Sequence, residues 1–231
     1  MREHDPNALP LPRRLRRSLR LPTGVPLYGI ATVVVVALGA AVYADSALVR
    51  LDLAAVRLLH RVGTDEITAL ATGITDLGAT KSIFIVTAVT AGSLVLRGFW
   101  HGAVTIAVSV TATQAVVYGI KALVARGRPP AASSFVDAAG YAFPSAHAAS
   151  GVALYGLMSL FVLRRLRGHV RIAAGALALL GVGSLGLTRV YLGAHYPSDV
   201  LAGWIVGAVV AAGAWQLGRV LRARLPRPAA A

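Results

Sequence analysis

The chain has 231 residues, 56% of them hydrophobic and 14% charged, with a formal net charge of +14 and no cysteine. Soluble domains carry roughly a quarter charged residues, so this deficit, laid out as apolar runs between short polar breaks, points to helices in a bilayer rather than an aqueous bundle. The missing cysteines exclude a disulfide framework, a thiolate metal site and a cysteine nucleophile. The arginines sit in short clusters between apolar runs, a pattern of membrane topology that argues against nucleic acid as a partner.

In chain order, residues 1–24 read as a basic tail containing Arg13, Arg14, Arg16, Arg17 and Arg20. The run from Val25 to Ala44 is long enough for one crossing at about 20 residues per span, and its weak Val42-Tyr43-Ala44 end marks it as retained rather than cleaved. Ala47–Arg61 is too short and too charged to span. Arg50, Arg57 and Arg61 fall near one face, which suggests a helix lying in the membrane interface. Further spans are expected over about Ala79–Leu96 (starting as early as Ile67), Gly98–Leu123, Ser145–Leu163, Val170–Leu187 and Pro197–Leu217. Gly175, Gly181, Gly183 and Gly186 in the fifth would allow close helix approach. The expected fold is all-α: a six-transmembrane-helix bundle over residues 25–220, an interfacial helix after the first span, and a second basic tail over 221–231.

With the N-terminus in the cytoplasm, the cytoplasmic segments hold 15 Lys and Arg residues against 7 on the opposite side. The short-loop charge rule favours that orientation, with both termini cytoplasmic. Several of the seven exceptions fall in three polar segments. These are Lys121-x6-Arg128-Pro129, Pro144-Ser145-Ala146-His147 and Arg189-x5-His195-x3-Asp199. The expected topology brings all three to one membrane face.

The chemistry of those residues is specific. Lys121, Arg128 and Arg189 are cations, two of them planar forks matched to phosphate oxygens. Ser145 lies near a helix start, where backbone N–H groups favour an anion. His147 and His195 are residues for nucleophile and acid, and Asp199 can accept from one imidazole nitrogen if the chain turns helically after His195. Together they describe a phosphoryl-transfer site. Arg126 is read either as a further contact to the phosphate or as a solvated cation. His60 is read as solvated or facing headgroups.

The three segments resemble the three-part signature of the type 2 phosphatidic acid phosphatase family, which includes lipid phosphate phosphatases and bacterial undecaprenyl pyrophosphate phosphatases. The resemblance implies that His195 attacks phosphorus and forms a phosphohistidine, that Asp199 orients it, and that His147 protonates the leaving oxygen. It further implies that Lys121, Arg128, Ser145 and Arg189 hold the phosphate without metal or other cofactor. Ala146 stands where the family usually has Gly, so the backbone there must be ordinary; Thr188 stands for the usual Ser and keeps the hydroxyl. The implied partners are the bilayer and a phosphorylated lipid, such as undecaprenyl pyrophosphate, phosphatidylglycerol phosphate or phosphatidic acid, met at the extracytoplasmic face of the cell membrane. The alternatives are a phosphotransferase on the same scaffold and a non-catalytic lipid-binding membrane protein.

Overall fold

A computed structural model describes residues 25–44 and 46–224; the tail over residues 1–24 and the last seven residues lie outside them. Among the described residues the elements are helical. They are α1 (Val25–Tyr43), α2 (Ala47–Arg61), α3 (Asp65–Asp76), α4 (Thr80–Leu96), α5 (Trp100–Val124), a 3₁₀ turn (Ala131–Ser133), α6 (Ala146–Leu163), α7 (Gly168–Tyr191) and α8 (Pro197–Arg224). Four helices, α5 to α8, are long and apolar enough to cross a membrane. The pairs α1/α2 and α3/α4 are bent by 82° and 46°, which allows up to six crossings if each bent pair is one span.

Local chemistry explains the bends. Ser46 caps α2 by accepting from Leu48 N, and Thr64 caps α3 by accepting from Ile67 N. Asp65 and Glu66 in the first turn of α3 complement its positive end. The stretch near Ile67 is therefore a helix of its own, α3, set at 46° to α4. Residues Leu77–Ala79 close it with turn hydrogen bonds back to Ile74, Thr75 and Asp76.

Helix α8 is the hub, packing against α1, α2, α5, α6 and α7. Its approach to α6 depends on Gly203 and Gly207, one turn apart. A Cβ at Gly203 would lie 2.5 Å from the Ser145 carbonyl oxygen, and one at Gly207 would collide with the Ala149 carbonyl. In lipid, where apolar burial does not drive helices together, such small-residue contacts set the packing. The glycines of α7 behave otherwise. Only Gly186 is crowded, against Val200 and Trp204, whereas Gly181 and Gly183 meet nothing and Gly175 has only ordinary contact with Leu163. Most of α7 is outward-facing, so its glycines do not form the close seam that their spacing suggests.

Helix α6 contains a wider π-type turn over Val152–Gly156. The Ser109 hydroxyl of α5 donates to the Ala153 carbonyl there at 2.9 Å, supplying a partner within an apolar environment that has no water to offer one. One cluster of buried side chains, Ile83, Ile106, Val110, Leu154 and Leu157, joins α4, α5 and α6. Another, Val56, Ala148, Val190, Tyr196 and Val200, joins α2, α6, α7 and α8 around the polar segments.

Candidate active site

The three polar segments occupy corresponding ends of four successive helices. Lys121 is in the last turn of α5, Ser145 caps α6, Arg189 is in the last turn of α7, and Asp199 is in the first turn of α8. Because these helices run alternately, the four ends share one end of the bundle.

His195 lies in the short turn joining α7 to α8, and its backbone N–H donates to the Arg189 carbonyl at 3.1 Å. Gly193 makes this turn possible. Its φ is +69°, and a Cβ there would strike the Ser133 carbonyl and lie 2.6 Å from Ser134 Cα. Tyr191 braces the same turn by stacking on Phe135 and hydrogen bonding to Thr68 Oγ1 at 2.9 Å. His60 also lies against Phe135, its ring tilted by 34° with centroids 4.5 Å apart, so it is packed rather than solvated as its basic surroundings suggest.

The His195 imidazole is 2% exposed. Its Nε2 faces Arg128 Nη1 at 3.3 Å, and its Nδ1 lies 3.5 Å from Asp199 Oδ2. An N–H pointing at Nε2 requires a lone pair there, which places the ring proton on Nδ1, toward the carboxylate. Burial pushes the imidazole pKa down to about 4, opposed by Asp199 and reinforced by the charges of Arg128 and Lys121. The ring is therefore neutral near pH 7, with the Nε2 lone pair turned toward Arg128. The helical turn needed for the Asp199 pairing does form: Asp199 Oδ2 accepts from Tyr196 N at 2.9 Å while closing the first turn of α8.

Three cations gather here with no carboxylate within salt-bridge distance among the described residues. Lys121 Nζ donates to the carbonyls of Tyr141 and Ala142, the latter at 3.3 Å. Arg128 ties the same loop to the histidine turn, donating from Nε and Nη2 to the carbonyls of Ala139 and Gly140 and from Nη1 to Ala194 O at 2.6 Å. Burial lowers its pKa, and the Asp199 carboxylate acts against that shift. Arg189 is buried, donates from Nη1 to Thr75 Oγ1 at 3.2 Å, and its buried Nε has no partner. Two buried cations and the half-buried Arg128, served only by neutral acceptors, form a site short of negative charge.

Ser145 is wholly buried. Its N–H donates to Asp199 O at 2.9 Å, and its Oγ caps α6 by accepting from Ala148 N at 3.5 Å, which leaves the hydroxyl proton free. Ala146 is the first residue of α6 and has no positive φ, so the backbone requirement raised by the missing glycine is met. His147 is half-buried, packed against Gly78 in the α3–α4 turn and within electrostatic reach of Arg189, His195, Arg128 and Lys121. The structure thus brings all seven candidate residues to one locality. No group of three or more His, Asp or Glu side chains placed to hold a metal ion occurs among the described residues.

Arg126 departs from both sequence readings. It is buried, bonded to Asp199 Oδ1 at 2.5 Å and to Asp52 Oδ2 at 2.8 Å, and its guanidinium lies over the Tyr196 ring at 3.9 Å. Asp52 escapes sequence reasoning altogether. The one available signal was a single carboxylate among the arginines and leucines of α2.

Residues 102–222 match the model of the PAP2 superfamily. The chain is 31% identical over 146 residues to phosphatidylglycerophosphatase B of Bacillus subtilis, covering 60% of this chain and 69% of that protein. It is 40% identical over 101 residues to decaprenylphosphoryl-5-phosphoribose phosphatase of Mycobacterium tuberculosis, spanning 42% of this chain and about half, 51%, of that relative. The fold is similar to the crystal structure of a transmembrane PAP2-type phosphatidylglycerolphosphate phosphatase from Bacillus subtilis. The TM-score is 0.71 at 22% identity, covering 87% of this chain and 98% of the other.

Proposed function

The chain belongs to the PAP2 superfamily and is a membrane phosphatase of lipid phosphate esters, and from that premise we propose that it works through a phosphohistidine on His195, with phosphatidylglycerol phosphate as the leading substrate. The observation that carries the reading is the juxtaposition of a neutral, buried His195 with three cations that lack carboxylate partners.

A phosphate entering this locality takes its negative charge to Lys121, Arg128 and Arg189, with the Ser145 hydroxyl as a further donor. Its oxygens supply the acceptor that Arg189 Nε lacks and draw Arg128 Nη1 from His195 Nε2. That nitrogen then attacks phosphorus; the P–O bond to the lipid breaks, and His147, which takes up a proton once the phosphate's negative charge has answered the surrounding cations, passes it to the departing oxygen. The imidazole gains positive charge, which Asp199 stabilises across Nδ1. Water next gives a proton to His147 and attacks phosphorus, and the P–N bond breaks to release inorganic phosphate. The three side-chain cations supply the electrostatic stabilisation of the transferred group in this scheme.

The topology belongs to the same proposal. Helices α1 and α4 to α8 make six crossings, α2 lies along the interface, and the site opens at the extracytoplasmic face of the cell membrane with both termini cytoplasmic. The charge distribution of the short segments supports it. The similarity to the decaprenylphosphoryl-5-phosphoribose phosphatase supports isoprenoid-linked phosphates as a second substrate class.

The test is phosphate release by the purified protein in detergent with EDTA present, from phosphatidylglycerol phosphate, phosphatidic acid and undecaprenyl pyrophosphate. Activity that survives the chelator, is blocked by vanadate and disappears in His195→Ala is the expected result. A strict requirement for a divalent cation would refute the scheme. Products analysed with and without an acceptor alcohol separate hydrolysis from transfer.

A further inference from the structure

Asp199 has two oxygens and two kinds of neighbour. Oδ2 faces His195 and the Tyr196 N–H, while Oδ1 is held by Arg126, whose other terminal nitrogen reaches Asp52 on α2. Asp52 is the sole carboxylate of α2 and is 2% exposed, although Arg50, Arg57 and Arg61 of the same helix are exposed. It is further fixed by Ser198, whose N–H donates to Oδ1 at 3.0 Å and whose hydroxyl donates to Oδ2. The Ser198 oxygen in turn accepts from Arg126 Nη1 at 2.8 Å.

Resting on the reading of His195 as nucleophile, we propose that Asp52 and Arg126 are positioning residues for the His195–Asp199 pair. Arg126 pins Oδ1, which fixes the carboxylate plane and leaves Oδ2 turned toward Nδ1. Asp52 shares the guanidinium, so Arg126 does not by itself neutralise Asp199. Two carboxylates against one guanidinium leave one formal negative charge in a buried cluster 3.5 Å from the imidazole. When Nε2 bonds to phosphorus the ring becomes cationic, and that surplus charge lies where it is needed. A buried three-charge cluster adds little net stability over apolar packing of the same volume. Its bonding to the carboxylate beside the nucleophile gives it a function that packing would not.

The experiment uses the full chain in detergent. Asp52→Asn keeps the shape and the acceptor for Ser198 N but removes the charge. The expected result is a kcat lowered about 10- to 100-fold. KM and the inhibition constant of inorganic phosphate are expected to stay within about twofold of wild type, because the three phosphate-facing cations are untouched. Arg126→Lys retains the charge but lacks the two separate terminal nitrogens by which the guanidinium reaches both carboxylates, and it should show the same split. Unchanged kcat in folded Asp52→Asn overturns the proposal; so does full activity in Arg126→Lys, or a parallel loss of kcat and phosphate affinity. Should Asp52→Asn fail to fold, Ser198→Ala carries the test. It removes only the hydroxyl shared by the cluster, and kcat is expected to fall about threefold with phosphate affinity unchanged, whereas an unchanged kcat is a refutation. A wild type inert toward lipid phosphates overturns the functional reading and this inference together. An active wild type with an inactive His195→Ala and a normal Asp52→Asn overturns the inference alone.

Discussion

Arg126 and Arg128 stand two residues apart in one loop and are treated in opposite ways. Arg126 is buried and compensated, bridging two carboxylates and covering the face of Tyr196. Arg128 reaches the same His195–Asp199 unit from the other ring nitrogen, yet its partners are carbonyl oxygens and an imidazole, none of them charged to match it. The difference teaches how to distinguish structural from ligand-seeking cations in such a site. A guanidinium whose charge is already answered holds the protein together, and one whose charge is unanswered is the candidate for holding an anion.

The largest effect should come from the residue between the two arginines. His195→Ala is expected to lower phosphate release by about 10⁴-fold or more, measured by steady-state turnover on protein whose melting curve still shows a cooperative transition. Arg128→Ala should reduce kcat/KM by about 10²- to 10³-fold, as removal of one transition-state donor does, with stability retained because no buried carboxylate loses its partner. Arg126→Ala reverses that pattern. It abandons two buried carboxylates and is expected to destabilise the fold by about 3 kcal/mol or more, read as a lowered unfolding midpoint. If Arg128→Ala proves the more destabilising of the two, the contrast fails.

A titration sharpens the same comparison. His195 has its pKa pushed down to about 4, so ¹⁵N signals of its ring, assigned by their absence in His195→Ala, should show the neutral form throughout the range around pH 6.5 and protonation only near pH 4. Arg128 lowers that pKa through its positive charge, which disfavours the imidazolium. Arg128→Ala should therefore move the titration to higher pH. The smallest effect is expected for Thr75→Val, which removes one hydrogen bond to Arg189. A rise in KM of about two- to fivefold with kcat nearly unchanged would fit an orienting contact.

The sequence by itself determined the class of the molecule and pointed to the residues of its candidate site. Apolar runs of bilayer length require helices, since backbone polar groups in lipid must be paired internally. The spacing of Lys121, Arg128, Ser145, His147, Arg189, His195 and Asp199 was legible because each of those side chains is out of place in a hydropathy pattern. Tertiary structure decided the rest. The bend that separates α3 from α4 depends on the turn hydrogen bonds of Leu77–Ala79. The seam between α6 and α8 uses Gly203 and Gly207, while the more numerous glycines of α7 mostly meet open space, and only packing distinguishes them. The partnership of Asp52 with Arg126 spans 74 positions. Nothing local marks it, because charge compensation in a buried cluster depends on which helices meet, and a sequence lists its charges without saying which of them will be near one another.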